Sequence, residues 1–194
     1  MGPWAPQRSP AWFELRNNMI TASDAAAVLG VSRFDTADDI LYKKCGFEKR
    51  YSEMSMNAMK HGVFYEDVAR RHYESTFGEI VHEIGLVQHP DYPFLGASAD
   101  GITESGKLIE IKCPKGALRN EVPKYYIPQI QLCLEVLDLE TCDYIEYSAD
   151  QQMMKLFRVE RDREWFRESL PHYAKFWNQV TERRKSPLCE ISEE

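Results

Sequence analysis

Residues 107–114 read KLIEIKCP. As a β-strand, the stretch places Ile109, Ile111 and Cys113 on one face and Leu108, Glu110 and Lys112 on the other, because side chains alternate. An acid and a base side by side admit two readings. On an edge strand they form a solvated face, which is common in antiparallel sheets. On a central strand no water covers that face, and a Glu beside a Lys points to chemistry. The elements on either side decide between the two.

Helical signals dominate the first 78 residues. TASDAAAVLG (21–30) reads as a short helix capped near Thr21 or Ser23 and stopped by Gly30. TADDILYKKCG (36–46) reads as a second. NAMKHGVFYEDVARRHYESTFG (57–78) reads as a longer one, with Ala58, Phe64, Val68, Ala69 and Tyr73 supplying much of its apolar stripe and Gly62 a place for it to start or bend. The period then changes. EIVHEIGLVQH (79–89), FLGASADGIT (94–103) and KLIEIKC (107–113) read as three strands, separated by turns at PDYP and ESG. PKYYIPQIQLCLEVLDL (123–139) returns to helical spacing, CDYIEYS (142–148) and MKLFRVE (154–160) read as a hairpin, and 162–184 is a final amphipathic helix that Pro171 is placed to kink. A meander followed by a crossover helix predicts a mixed sheet flanked by helices, with 107–113 central.

That placement gives Glu110 and Lys112 a partner. Asp100, in GASADG, precedes Glu110 by a span that one tight hairpin closes. Two carboxylates and an ammonium on one sheet face repel and desolvate badly unless a divalent cation fills the gap. A hard cation such as Mg²⁺ takes oxygen ligands and keeps several waters. A neighbouring lysine can orient or deprotonate such a water, or neutralise charge developing on a phosphate.

Composition sets the outer bounds. A chain of 194 residues with net charge -7 predicts one domain over 1–194: a helical part to about 78, a catalytic core over about 79–160 and a C-terminal helix over about 162–185. The acidity argues against general nucleic-acid coating and leaves room for a local basic channel. No apolar run reaches membrane-spanning length and MGPWAPQRSP lacks a signal-peptide core, so the expectation is an intracellular, cytoplasmic protein without membrane contact. The cysteines, Cys45, Cys113, Cys133, Cys142 and Cys189, are scattered and show no CxxC spacing; Cys113 and Cys133 read as buried thiols. Basic runs at 70–72 and 182–185 read as solvated helix faces.

GASADGI followed by LIEIKCP resembles the catalytic core of the PD-(D/E)xK nucleases, specifically the lambda-exonuclease-like branch, also called the YqaJ-type viral recombinase family. Three further segments extend the resemblance in family order. QRSPAWFELRNNMITASDAAAVLG is similar to its N-terminal motif, AMKHGVFYEDVA to its Gly and Glu helix, and YYIPQIQLCLEV to its Q-x-Q helix. Ala-Asp stands where the superfamily name implies Pro-Asp, and the chain looks slightly short, which bears on assembly.

The resemblance implies a restriction-endonuclease-like fold. It also implies a Mg²⁺-dependent exonuclease, with Mn²⁺ able to substitute, that digests one strand of duplex DNA from its 5′ end and leaves a 3′ overhang. It implies a homotrimeric ring threaded by DNA, and a single-strand annealing protein as partner. By motif position, Asp100, Glu110 and the Ile111 carbonyl would bind metal, Lys112 would position or activate water, Glu66 would complete the acidic side and Gln131 would lie beside the site. Arg16 and Ser23 would hold a 5′-phosphate. Lys115, Arg119 and Lys124 are placed to meet DNA phosphates. Two alternatives stay open: an internally cutting or single-strand nuclease of the same superfamily, and a catalytically silent module of the same fold, against which the intact Asp100, Glu110 and Lys112 set argues.

Overall fold

The computed structural model describes residues 7–185. Short elements open the chain: α1 (Pro10–Asn17), β1 (Ile20–Thr21), α2 (Ala25–Val28) and α3 (Ala37–Lys44), followed by the long α4 (Glu53–Phe77). Then come β2 (Val81–His82), β3 (Val87–Gln88), β4 (Leu95–Ala97), β5 (Gly101–Thr103) and β6 (Leu108–Lys112). The chain closes with α5 (Ile127–Leu137), β7 (Thr141–Ser148), β8 (Met153–Glu160) and α6 (Arg163–Lys185). Of the N- and C-terminal ends assigned to the expected domain, 1–6 and 186–194, with Cys189, lie outside the described residues.

Local chemistry sets the helix boundaries. Ser9 and Ser52 accept N–H bonds at the starts of α1 and α4, and Thr36 and Asp39 form a reciprocal capping box on α3. Because Ser52 is the cap, α4 starts earlier than its apolar stripe predicts and runs through Gly62. It stops at Gly78, whose φ of 66° is left-handed. Only the second half of α4 meets the sheet, through Ala69 and Tyr73. Ala58 and Phe64, expected in the stripe, are exposed.

The main sheet has the order β2-β5-β6-β7-β8. β6 is central, antiparallel to β5 and parallel to β7, with α5 as the crossover, and β7 and β8 form the expected hairpin. A smaller sheet has the order β1-β4-β3. Two expected strands are each divided between the sheets: 79–89 becomes β2 and β3, and 94–103 becomes β4 and β5. Apolar residues stay buried through the second bend, Ala97 and Ala99 both at 0% exposure, so hydrophobic alternation cannot reveal it. The Gln7 side chain serves both bends, donating from Nε2 to the carbonyls of Ile84 at 3.0 Å and Ala99 at 2.8 Å.

β6 separates two apolar clusters. Ile109 and Ile111 pack with Ala69, Tyr73 and Val81. Leu108 joins the larger cluster with Ile130 and Leu134 of α5 and Phe166, Tyr173 and Phe176 of α6. Cys133 and Cys142 are buried thiols, whereas Cys113 is half-buried. Residues 182–185 are exposed, as read, and the Arg184 guanidinium at this face also binds the carbonyls of Lys44 and Asn17.

Candidate active site

β5 starts only at Gly101, which pairs with Ile109. Beyond Ile109 the central strand therefore has an unpaired edge on that side. Asp100 occupies it: Oδ2 accepts the Ile111 N–H at 2.7 Å. The Ile111 carbonyl leaves the strand on the same side as its N–H, toward the same opening. Gly101 is required next to Asp100, because a Cβ there would overlap Val81 Cγ1 and approach the His82 carbonyl to 3.3 Å.

Glu110 is 1% exposed. Its Oε1 accepts from Gln129 Nε2 at 2.5 Å and pairs with the Lys112 ammonium, which also lies 4.9 Å from the centre of the Tyr126 ring. Its Oε2 is buried without a hydrogen-bond partner. Glu66 reaches the site from α4 and pairs with Arg8 at 2.8 Å. Arg70, one turn on, pairs with Asp67 and Glu83 instead. Glu66, Asp100, Glu110, Ile111 and Lys112 line one cleft of about 780 Å³, walled by Trp12, Phe13, Met59 and Val63.

The electrostatics follow from burial. Burial pushes Glu110 up to about 7, with Asp100 adding repulsion and Lys112 opposing. Burial also raises Asp100, against Lys112 and the Ile111 N–H, and raises Glu66, with Asp100 adding to it. For Lys112, burial disfavours the charged form, but Glu110 and Asp100 outweigh it and hold the pKa above the ordinary lysine range. Three carboxylates crowded beyond their comfort, one with a bare buried oxygen, fit a cation. Among the described residues no three His, Cys, Asp or Glu side chains form a ready cage. The available donors are Asp100, Glu110 Oε2 and the Ile111 carbonyl, a set that leaves room for waters.

Gln131 is elsewhere. Its Nε2 donates to the Glu160 carbonyl and its Oε1 accepts the Asp162 N–H, both at 2.8 Å, so it pins the β8–α6 junction. Gln129 takes the place beside Glu110. The topology held that signal: a crossover helix begins near the C-terminal end of its strand, so the first-turn glutamine is the nearer one. Arg8 and Tyr126 lie inside two of the quoted motif segments but were given no role, because the pairing of Arg8 with Glu66 and the approach of Tyr126 to Lys112 are tertiary contacts that no local spacing reveals.

Arg16 and Ser23 meet directly, with the guanidinium donating to Ser23 Oγ at 2.7 Å. Arg16 stacks 4.3 Å above Trp12, whose ring walls the cleft and whose Nε1 donates to Ser98. Arg119 lies at the cleft rim but is committed to Glu146, through its backbone N–H at 2.8 Å and its guanidinium at 2.5 Å. Lys115 and Lys124 are exposed on the segment between β6 and α5.

Residues 11–140 match the YqaJ-like viral recombinase domain, a span that holds Glu66, Asp100, Glu110, Lys112 and Gln129. The chain belongs to this family. It is 29% identical over 168 residues to an uncharacterised protein of Acanthamoeba polyphaga mimivirus, covering 77% of this chain and 30% of that one. It is 27% identical over 176 residues to the uncharacterised YqaJ of Bacillus subtilis, covering 86% and 54%. The chain thus spans about a third to a half of these relatives. Among solved structures, an alkaline exonuclease from Laribacter hongkongensis superposes with a TM-score of 0.76 at 26% identity, covering 91% of this chain and 95% of that one. The same exonuclease in complex with dAMP gives 0.77. The mixed sheet with flanking helices is the PD-(D/E)xK core of these exonucleases.

Proposed function

We propose that this chain is a Mg²⁺-dependent deoxyribonuclease that digests one strand of linear duplex DNA from the 5′ end and leaves a 3′ overhang. Family and fold support a nuclease of the exonuclease kind; metal, direction and overhang are this reading's additions. The observation that carries it is Glu110, a buried carboxylate with one bare oxygen, beside Asp100 and Lys112 in an open cleft.

Asp100, Glu110 and the Ile111 carbonyl would hold Mg²⁺, or Mn²⁺ through the same oxygen donors. When bound, the ion would supply positive charge at the scissile phosphate and acidify a water. Lys112, kept as an ammonium, donates to the attacking water and offsets charge on the phosphate oxygens. Gln129 fixes the Glu110 carboxylate, and Glu66 steadied by Arg8 receives water-mediated contacts. The water oxygen bonds to phosphorus, the bond to the 3′ oxygen breaks, and the terminal nucleotide leaves as a 5′-monophosphate, the product class to which dAMP belongs. The shortened strand again begins with a 5′-phosphate, which Arg16 and Ser23 hold. Lys115, Arg119 and Lys124 face the backbone, Arg119 with much of its charge already met by Glu146. The working unit in this reading is a homotrimeric ring of single-domain subunits on duplex ends, serving a single-strand annealing protein.

The test is nucleotide release from linear duplex DNA labelled at either end of one strand. We expect release of the 5′ label first, dependence on Mg²⁺, loss on chelation and, where the complementary strand carries a blocked 5′ end, survival of that strand. Release without divalent cations would reject the metal site. Release of the 3′ label first, or internal cutting of closed circles, would favour a different nuclease of the superfamily.

A further inference from the structure

We propose that Arg184, in the last turn of α6, is a positioning residue for the 5′-end reader; the inference rests on the reading of Arg16 and Ser23 as phosphate ligands. Its guanidinium knits two helix ends together. Nε donates to the Lys44 carbonyl at 2.8 Å, one terminal nitrogen to the Asn17 carbonyl at 2.5 Å, and the other to Asn18 Oδ1 at 3.4 Å. Asn17 ends α1 and Lys44 ends α3. Helix C-termini carry carbonyls without intrahelical partners and partial negative charge, so one planar cation satisfies both. Trp177 lies 5.5 Å beneath the guanidinium.

The contacts continue inward to the reader. Lys44 is 6% exposed; its Nζ donates to the Arg16 carbonyl at 2.7 Å and pairs with Asp24 at 2.7 Å. Asp24 accepts the Thr21 hydroxyl at 2.7 Å and the Thr21 N–H at 3.0 Å. The Thr21 hydroxyl lies 3.1 Å from Ser23 Oγ. Arg16 is thus held through its own carbonyl and Ser23 through Thr21, and both lines converge on Lys44, whose backbone Arg184 fixes. Removing Lys44 or Asp24 would strand a buried charge and threaten the fold. Arg184 is the exposed outer link, so its replacement leaves the buried pair intact.

The experiment compares wild type, Arg184→Gln, Arg184→Lys and Arg16→Ala on duplexes that differ only in a 5′-phosphate or 5′-hydroxyl, with melting temperatures alongside. Displacement of a positioned group by a fraction of an ångström costs about 5- to 10-fold in what it positions. We expect Arg184→Gln to lower the phosphate preference by that factor, through KM for the phosphorylated end with kcat retained. Arg184→Lys should recover only part, because a single ammonium cannot span both helix ends in the geometry of a guanidinium. A purely structural role would lower the melting temperature and slow both substrates alike; an unchanged ratio in Arg184→Gln, with the ratio lost in Arg16→Ala, overturns the inference and leaves the reader standing. Wild type without preference, or Arg16→Ala with wild-type preference, overturns the reader and this inference with it.

Discussion

Glu110 makes the metal-free protein sensitive to pH in a defined direction. Its pKa stands near 7 in the fold against 4.5 for an ordinary glutamate. Below about pH 4.5 both folded and unfolded chains hold the proton, and burial carries no penalty. As pH rises through 7 the unfolded chain ionises first, so stability falls and stays low above that range. Without metal the melting temperature should therefore drop between pH 5.5 and pH 8, and Glu110→Gln should flatten that slope in calorimetry. Mg²⁺ should restore stability at pH 8 far more than at pH 5.5; wild type and Glu110→Gln with parallel pH profiles would contradict this. Asp100→Ala and Glu110→Ala should abolish Mg²⁺-dependent cleavage, whereas Lys112→Ala should retain metal and DNA binding and cut about 10²- to 10⁴-fold more slowly. A near-wild-type rate for Lys112→Ala would remove the lysine from the mechanism. The two glutamines separate just as cleanly. Gln129→Ala should slow cleavage with little change in melting, and Gln131→Ala should cost about 1–3 kcal/mol of stability by unpairing the β8–α6 junction while sparing kcat. At this scale the sequence announced Asp100, Glu110 and Lys112 by spacing, but chose the wrong glutamine, because helical angle alone does not say which turn lies over the strand end.

The elements that form the cleft owe it to the late start of one strand. β5 begins to pair only after the chain has left the smaller sheet and turned at 98–100, and the uncovered edge of β6 receives Asp100. The reading of 94–103 as one strand concealed this, since both sides of the bend are apolar and buried. The centrality of β6, by contrast, followed from meander and crossover order. α4 shows the same division between legible and hidden features. Its existence was plain from periodicity, but its first turns, which wall the cleft, obey a serine cap rather than an apolar stripe. Gly62 lies on that wall, and a Cβ there would meet no atom within 4 Å. Gly62→Ala should accordingly raise stability by about 0.5–1 kcal/mol through helix propensity, while its methyl group narrows the cleft and slows digestion. Chemical denaturation and initial rates measured on the same preparation check both signs; a faster or unchanged rate would mean that substrate does not approach this turn.

For the whole molecule, net charge is -7, and no described helix is long and apolar enough to cross a membrane. If the proposed function holds, an acidic subunit that keeps DNA through many turnovers is better served by enclosure than by attraction, which is the physical case for the proposed ring. Light scattering should give three times the subunit mass at micromolar concentration; a monomer with processive digestion intact would dismiss it. Long-range ties were the least legible feature of all: Arg8 to Glu66, Gln7 to both sheet bends and Arg184 to two helix ends join residues too far apart in sequence for any spacing to betray. Those ties also reveal a division of labour. Residues 7–23 latch the two sheets, brace Glu66, wall the cleft with Trp12 and carry the proposed end reader, yet none of the cation donors lies among them. In the proposed reading, choice of starting point and bond breaking thus fall to separate stretches of the chain. Transplanting 7–23 between relatives, together with its α3 and α6 supports, should move end preference from one enzyme to another as a cassette, and natural divergence in this family has the same route open to it.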